Sequence, residues 1–305
     1  MALSGIDIFK KLPKTNCKEC GIPTCMAFAM KVAQGAMKIE QCTHIDQSVL
    51  DEMAEATAPP MKTIKIGAGA TEKTLGGETV LYRHEKTFVS RNIFSVEVST
   101  AKDDAANDEV FAKIGTVNYD RIGEHMYVEC ISVTCADGAD EARFLALVEK
   151  AVALGDRTLI LNVSDVDVAK KALELAKDVK PALVGANHDN YEAMNAVAKE
   201  YGVVLGVVGD GLDDLYDTTA AIEKLGNKNL VLQASTNSIK EAFGDAVQIR
   251  RAALKQNDRT FGYPVIVKLN EVAPGNLHLQ TQAEALSDGE PGATIPVRNL
   301  QTKKQ

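Results

Sequence analysis

The sequence predicts an α/β protein in which a small cysteine-rich domain precedes a larger (β/α) domain. Four of the six cysteines lie within the first 42 residues, and two consecutive prolines interrupt the chain at positions 59 and 60. From residue 94 onward, apolar runs alternate with amphipathic segments. A chain of 305 residues is long enough for one large domain and a smaller one.

The amino-terminal cysteines form the pattern C-x2-C-x4-C-x16-C, in which Cys17, Cys20 and Cys25 are close together and Cys42 is remote. Among the common metals, thiolates select zinc or iron-sulfur clusters. Structural zinc sites usually have two short cysteine pairs, whereas three near ligands and one distant ligand are typical of iron-sulfur clusters. The spacing favours a 4Fe-4S cluster on these four residues. Zinc in the same thiolates and ordinary buried cysteines are the alternatives.

The residues around the cysteines support cluster binding. Gly21 lets the backbone approach sulfide closely, and Thr24 is a good N-cap for the helix predicted from CMAFAMKVAQG. Cys25 then lies at a helix start, where the helix dipole and free N–H groups stabilise a thiolate. Lys14 and Lys18 add positive charge nearby.

Three further residues are possible ligands or nucleophiles. His44 follows Cys42 by two residues and could replace it as a ligand, although a solvated neighbour is the commoner role. Cys130 and Cys135 lie in and just after the apolar run YVECISVTC, so we interpret both as small core residues.

The segment EATAPPMK predicts a linker, because proline cannot continue a helix. We therefore divide the chain into an iron-sulfur domain at 1–58, a barrel domain at 59–269 and an irregular tail at 270–305. Directly after the linker, TIKIG and TVLYRHEKTF are predicted to be short strands.

Seven near-continuous apolar runs follow, as expected for a parallel sheet covered by helices. They are FSVEV, YVECISV, TLILNV, ALVGA, VVLGVVG, NLVLQA and PVIVKL. Of the six intervening helices, DEARFLALVEKAVALG places Phe144, Leu147, Val148 and Val152 on one face. This count favours a TIM-type (β/α)8 barrel over a smaller open sheet. The barrel is expected to be incomplete at its last unit, because no further helix and strand are evident in the tail.

Other motifs in the barrel do not predict a site. GAGATE has Glu72 where a dinucleotide fingerprint needs its third glycine, so we interpret it as a loop. The acidic run GDGLDDLYD does not have calcium-loop spacing and is interpreted as a solvated helix start. Its acids are Asp210, Asp213, Asp214 and Asp217. The histidines at 84, 125 and 188 are scattered, and no catalytic residue is predicted.

Composition excludes several classes of protein. Hydrophobic residues make up 45% and charged residues 25%, and no apolar run is long enough to span a bilayer. The net charge of -8, with scattered lysines, argues against nucleic-acid binding. Because the first residues, MALSGIDIFKKLPK, show no secretion signal, we expect a cytoplasmic protein. Clustered cysteines in that compartment are more often metal ligands than disulfides.

The amino-terminal segment GIDIFKKLPKTNCKECGIPTCMAFAMKVAQG, followed by Cys42, resembles the large subunit of the corrinoid iron-sulfur protein of the acetyl-CoA (Wood-Ljungdahl) pathway. That subunit is also called the gamma subunit of acetyl-CoA decarbonylase/synthase. Further matches are APPMKTIKIGAG, ETVLYRHEKTF, YDRIGEHMYVE, NYEAMNAVAKE and QIRRAALKQNDRTFGYPVI. The similarity covers about residues 1–267, with the motifs in the family's order.

The resemblance implies a 4Fe-4S domain, a TIM barrel and a C-terminal domain that contacts cobalamin. Family members carry a methyl group on cobalt from a methyltetrahydrofolate (or other pterin) methyltransferase to acetyl-CoA synthase, and the cluster donates an electron that reactivates Co(II). By position, Cys17, Cys20, Cys25 and Cys42 take the roles of the cluster ligands. The implied partners are a small subunit in a heterodimer, the methyltransferase and CO dehydrogenase/acetyl-CoA synthase. The chain would act as a subunit and not as a stand-alone catalyst.

Residues 270–305 do not resemble the family, so we expect a barrel with an unfinished seam and no corrin-binding domain. The tail or the small subunit would close that seam. No cobalamin-binding residues are predicted. An alternative function is an iron-sulfur electron-transfer protein whose barrel docks partners and binds no corrinoid. A zinc-stapled scaffold is a third.

Overall fold

Two compact units make up the chain, one at residues 1–60 and one at residues 61–305. The computed structural model describes residues 4–33, 36–46, 49–50, 60–81, 89–90, 92–234 and 238–273. The predicted boundary at residue 58 and most of the predicted tail lie outside the described residues. Those domain limits therefore stay predictions.

Among its described residues, the first unit contains two short helices joined by an irregular loop, and residues 49–50 are also helical. Helix α1 spans Gly5–Lys11, helix α2 spans Cys25–Ala33, and a 3₁₀ turn follows at Ile39–Gln41. Helix α1 begins where the Ser4 hydroxyl accepts the Asp7 N–H at 3.2 Å. The buried apolar side chains of these elements form the core of the unit. They are Ile8, Leu12, Phe28, Ala29, Val32 and Ile39.

The second unit alternates strands and helices. Its strands are β1 Thr63–Ile66, β2 Lys73–Gly76, β3 Ser95–Ser99, β4 Asn118–Arg121, β5 Glu124–Tyr127, β6 Cys130–Thr134, β7 Thr158–Asn162, β8 Ala182–Ala186, β9 Leu205–Gly209 and β10 Leu230–Ala234. Its helices are α3 Asp104–Thr116, α4 Glu141–Ala153, α5 Val166–Ala176, α6 Tyr191–Tyr201, α7 Leu212–Lys224, α8 Ile239–Lys255 and the single turn α9 Leu269–Val272.

The main sheet has the strand order β3-β6-β7-β8-β9-β10, with every neighbouring pair parallel. Strands that follow one another in this order, each pair connected through a helix, are the arrangement of a TIM-type barrel. Beyond β10 a single parallel bridge joins Leu232 to Val265. The predicted fold class is confirmed, and the seventh predicted strand, PVIVKL, is present only as this bridge.

The sheet is apolar on the face that the helices cover. Strand residues such as Ile131, Leu161 and Leu183 form one core with Phe144 and Leu147 of α4. The predicted apolar face of α4 is therefore buried, and its Val152 packs at the edge of the core. Burial of this face supplies the main stabilisation of the unit.

The opposite face of the sheet carries polar side chains at the carboxyl ends of the strands. Thr134 Oγ1 donates to Glu97 Oε1 at 2.6 Å, and Asn162 Nδ2 donates to Thr134 Oγ1 at 3.1 Å. Asn270 of α9 donates to Glu97 Oε2 at 2.5 Å. The turn α9, at the end of the described chain, thus contacts β3, the first strand of the sheet. The barrel was expected to be unfinished between its last and first strands, which is where this contact lies.

Side chains hydrogen-bond the backbone of β3 along its outer edge, where Lys102 Nζ donates to the Glu97 carbonyl at 3.2 Å. The Ser99 N–H donates to Asn107 Oδ1 at 3.1 Å, and Asn107 Nδ2 donates to the Ser99 carbonyl at 2.9 Å. Asn107 is fully buried at the start of α3. Its amide therefore replaces a neighbouring strand at this position.

Strands β1 and β2 form an antiparallel hairpin at the amino-terminal end of the sheet. The Gly67 N–H donates to the Lys180 carbonyl at 3.0 Å, just before β8, and Thr158 Oγ1 donates to the Thr71 carbonyl at 2.5 Å, at the start of β7. Ile64 and Ile66 of β1 are buried in the main core. The hairpin thus covers this end of the sheet.

Lys62, one residue before β1, is held by a polar cluster. Its Nζ donates to Glu223 Oε1 at 2.6 Å and to the Tyr263 hydroxyl at 2.5 Å. Burial lowers the pKa of Lys62, and the hydrogen bond to Glu223 opposes that shift. The cluster anchors the beginning of the second unit to α7.

One of the two short strands predicted after the linker is not found where it was predicted. TIKIG contains β1 as predicted, but its partner is Lys73–Gly76. In TVLYRHEKTF, residues 79–81 form no strand and residues 82–88 lie outside the described residues. The hairpin of β4 and β5 was not predicted. Among the described residues, no helix is long and apolar enough to cross a membrane.

Candidate iron-sulfur centre

The four amino-terminal cysteines lie in the first unit at graded depth. Cys17 is exposed and Cys20 is half-buried, while Cys25 and Cys42 are each 8% exposed. Cys25 and Cys42 belong to the hydrophobic core of the unit, and Cys20 packs against it. All six cysteines of the chain are free thiols. The four cysteines thus range from the core of the unit to its surface.

Asn16 braces the loop against the start of α2. Its N–H donates to Cys25 Sγ at 3.4 Å, and its side-chain Oδ1 accepts the Cys25 N–H at 2.8 Å. The backbone of Asn16 is left-handed, with φ of 48°, as is that of Gly21, with φ of 78°. Asparagine and glycine tolerate this conformation best, and Lys14 and Lys18 of the same loop also adopt it, with φ of 58° and 67°. The Asn16 N–H, which donates to Cys25 Sγ, is a backbone donor that this loop offers to a thiolate.

Cys25 is the first residue of α2, as the sequence predicted. The predicted N-cap is also confirmed, because the Ala27 N–H donates to Thr24 Oγ1 at 3.2 Å. The amino terminus of a helix carries partial positive charge, which favours a thiolate and the anionic cluster that it would hold.

The electrostatics of Cys42 connect it to the other three cysteines. Burial is the largest effect that raises the pKa of the Cys42 thiol, and Cys25, Cys20 and Cys17 raise it further by charge repulsion. The backbone N–H of His44 acts in the opposite direction. Charge repulsion of this kind acts over short distances, so Cys42 lies near the other three cysteines although it is remote from them in the chain. Four thiolates there repel one another until cationic iron or zinc compensates their charge.

His44 is engaged by a carboxylate beside the ligand loop. Its Nε2 lies 3.1 Å from Glu19 Oε2, and the same oxygen accepts Thr43 Oγ1 at 2.5 Å. These two bonds, that of Thr43 first, lower the pKa of Glu19. Donor atoms of Cys17, Glu19 and His44 lie within 4.8 Å of one another. The sequence did not single out Glu19 or Asn16, whose contacts depend on how the loop folds.

The other candidates from the sequence remain outside this centre. Cys130 is fully buried, and burial raises its pKa to about 12, in agreement with a core role. Cys135 is half-buried at the end of β6. Asp213 and Asp214 lie in the first turn of α7, where the Asp210 N–H donates to Asp214 Oδ2 at 2.9 Å. In the described part of the chain this acidic run forms no cluster of metal-ligand geometry.

Two family models match the chain. One, described as CO dehydrogenase/acetyl-CoA synthase delta subunit, matches residues 63–276. The other, described as an Fe-S cluster domain, matches residues 12–44, a range that contains all four cysteines. The two matches fall on opposite sides of the division between the two compact units.

Curated relatives match nearly the whole chain. The corrinoid/iron-sulfur protein large subunit of Moorella thermoacetica is 39% identical over 90% of this chain and 61% of its own length. The acetyl-CoA decarbonylase/synthase complex subunit gamma 1 of Methanosarcina thermophila is 32% identical over 86% of this chain and 58% of its own length. The chain thus spans about three fifths of the relatives that it matches. Dihydropteroate synthase from Thermus thermophilus superposes on 74% of this chain and 87% of its own, with a TM-score of 0.47 at 14% identity.

Proposed function

The chain belongs to the family of the CO dehydrogenase/acetyl-CoA synthase delta subunit and the corrinoid/iron-sulfur protein large subunit, and on this premise we propose that it is the iron-sulfur and barrel portion of a methyl-carrier protein. Its first unit would hold a 4Fe-4S cluster on Cys17, Cys20, Cys25 and Cys42. Its second unit would be the scaffold on which the corrinoid-bearing assembly is built.

The observation that carries the proposal is that three of the cysteines share the small core of the first unit: Cys25 and Cys42 are buried in it, and Cys20 packs against it. Burial raises the pKa of Cys42, which lies 17 residues after Cys25 in the chain, and charge repulsion from the other three cysteines raises it further. An all-thiolate donor set selects zinc or iron-sulfur clusters. The helix start at Cys25 and the Asn16 N–H that donates to its sulfur favour an anionic group over a bare cation.

The residues of the first unit would each have a defined task. Cys25 and Cys42 would hold the cluster against the core, which excludes water from that side, whereas the exposed Cys17 lies toward solvent. Asn16 would keep the Cys25 sulfur oriented through its N–H. When bound, a 4Fe-4S cluster would supply one-electron chemistry at low potential, which suits the reactivation of an oxidised cobalt centre.

The partners would be those of a methyl carrier. We propose a heterodimer with a small subunit, methyl transfer from a pterin-dependent methyltransferase, and delivery to acetyl-CoA synthase. The membership of the relatives in multisubunit complexes, as their names state, supports this part of the proposal. The proposed location is the reducing cytoplasm, because cysteines that ligate a metal centre must stay reduced.

The test is metal analysis with EPR on anaerobically purified protein, with iron, sulfide, zinc and cobalt measured in one sample. We expect about four iron and four sulfide per chain and a reduced-cluster signal. Cys20→Ala should abolish that signal without changing the urea midpoint of the second unit. Retained cobalt after addition of cobalamin supports the corrinoid role, and its loss on gel filtration supports an electron-transfer role instead. Iron-free, zinc-loaded protein contradicts both.

A further inference from the structure

Glu19 connects the remote cysteine to the ligand loop. It lies between two of the loop cysteines, and its Oε2 accepts Thr43 Oγ1 at 2.5 Å and lies 3.1 Å from His44 Nε2. Thr43 and His44 directly follow Cys42 in the chain. Both contacts therefore join segments that are about 24 residues apart.

We propose that Glu19 is a positioning residue that holds Cys42 at the loop, so that the fourth ligand is in place before a cluster forms. This inference rests on the proposed function, because it concerns the same four cysteines. We call the three-residue contact of Glu19, Thr43 and His44 the Glu19 clamp.

The need for the clamp follows from how the four cysteines are fixed. Three of them share a nine-residue stretch that ends at the start of α2, so local structure sets their positions. Cys42 is separated from Cys25 by 16 residues, and closing such a loop costs conformational entropy. The hydrogen bond of its own N–H, to the Ile39 carbonyl at 3.1 Å, is local and does not reach the loop.

The Glu19 clamp is expected to affect the position of the Cys42 segment and not the stability of the whole unit. The side chains of His44 and Glu19 are 46% and 52% exposed, and exposed ion pairs add little to global stability. The opening of a single short segment, however, depends on a few contacts. Loss of the clamp should therefore leave the core of the unit folded and increase the fraction of time in which Cys42 is displaced.

The first experiment uses the full chain in its metal-free, reduced form. The variants are Glu19→Ala and Thr43→Val, and the matched control is Glu40→Ala, which removes the same charge two residues before Cys42. The rate of Cys42 alkylation by iodoacetamide, measured by peptide mass spectrometry, should rise about fivefold in both clamp variants and stay unchanged in the control. Cys135, which belongs to the second unit and is partly exposed, is the internal reference, and its rate should not change.

The second experiment uses the cluster-loaded full chain. In Glu19→Ala, iron release into a chelator should be about fivefold faster than in the wild type, and mild oxidation should give the EPR signal of a three-iron cluster, because the corner held by Cys42 is lost first. Glu19→Gln keeps an acceptor for Thr43 and should recover part of the retention. A merely structural role, in which loss of Glu19 destabilises the whole first unit, would in the metal-free protein raise the alkylation of the buried Cys25 as much as that of Cys42. The double variant Glu19→Ala/Thr43→Val should add nothing to Glu19→Ala.

The outcomes separate the two proposals. Equal Cys42 alkylation in Glu19→Ala and Glu40→Ala overturns the clamp, whether or not the wild type binds iron. Faster alkylation in Glu19→Ala in a protein that never assembles a cluster supports the clamp and contradicts the proposed function. A cluster-loaded wild type and a Glu19→Ala variant with identical iron release also overturn the clamp.

Discussion

At the scale of single residues, chemistry was easier to predict than contacts. The spacing of the four cysteines sufficed to predict a thiolate metal centre, because ligand type and spacing are properties of the chain itself. Asn16 and Glu19 could not be assigned in the same way. Their contacts, with Cys25 and with Thr43, depend on a left-handed loop and on a segment that returns from elsewhere in the chain.

Two lysines at the start of the second unit offer a matched comparison. The Lys62–Glu223 pair has side chains that are 18% and 21% exposed, whereas those of Lys65 and Glu72 are 61% and 41% exposed. Lys62→Met should lower the free energy of unfolding by roughly 1–2 kcal/mol, because it leaves the Glu223 carboxylate partly desolvated without its cation. Lys65→Met should change it by less than about 0.5 kcal/mol. Urea unfolding followed by circular dichroism measures both, and equal losses would contradict the role of burial.

Cys130 predicts a pH dependence of stability. Burial raises its pKa from 9.0 to about 12 in the folded chain. Because the pKa is higher in the folded chain, the contribution of the protonated Cys130 thiol to folding stability is complete below pH 9. This contribution is lost as pH rises toward 12, since the thiol of the unfolded chain ionises first. Between pH 8 and pH 10 this group should contribute a loss of roughly 1 kcal/mol. The corresponding slope should be absent in Cys130→Ala, measured by urea midpoints at both pH values, and an unchanged slope would refute the assignment.

At the scale of elements, apolar runs located the central strands well. Five of the seven predicted runs, from YVECISV to NLVLQA, coincide with strands of the parallel sheet, and FSVEV overlaps β3. A parallel strand that is buried on both faces has a continuous apolar sequence. This pattern lies within the strand itself, so it can be recognised without knowing which strands are its neighbours. The last run, PVIVKL, forms only one bridge, because its pairing depends on neighbours and not on composition.

The hairpin of β4 and β5 shows the opposite case. Its turn consists of Ile122 and Gly123, with φ of 53° and 79°. A β-branched residue is a poor choice for a left-handed position, so the sequence does not signal a turn there. Only the pairing of Tyr119 with Met126 across the two strands reveals it.

Ile122 is therefore expected to be strained. Its side chain is 94% exposed, so it gains little from packing. Ile122→Asn, which gives the preferred Asn-Gly turn, should stabilise the hairpin by about 0.5–1 kcal/mol. Slower amide exchange at Tyr119 and Met126 would show this. Gly123→Ala should have the opposite effect, and a hairpin that exchanges faster in Ile122→Asn would contradict the strain.

At the scale of the whole molecule, the sequence predicted the order of the two units and the sequential parallel sheet. It did not predict how the sheet is finished at its ends. The β1–β2 hairpin contacts the chain near the starts of β7 and β8, and Asn270 contacts Glu97, which lies 173 residues earlier. Both are long-range contacts. Such pairings leave no periodic trace in local sequence, so only the folded chain reveals them.

The Asn107 amide on β3 has a consequence for the behaviour of the protein in concentrated solution. An uncovered strand edge recruits strands from other molecules. Asn107→Ala should therefore produce light-scattering aggregates under native conditions. Ile114→Ala, a core change in the same helix that leaves Ser99 capped, should not do so at equal stability. One carboxamide would then decide whether this protein stays dispersed or grows into intermolecular β-structure.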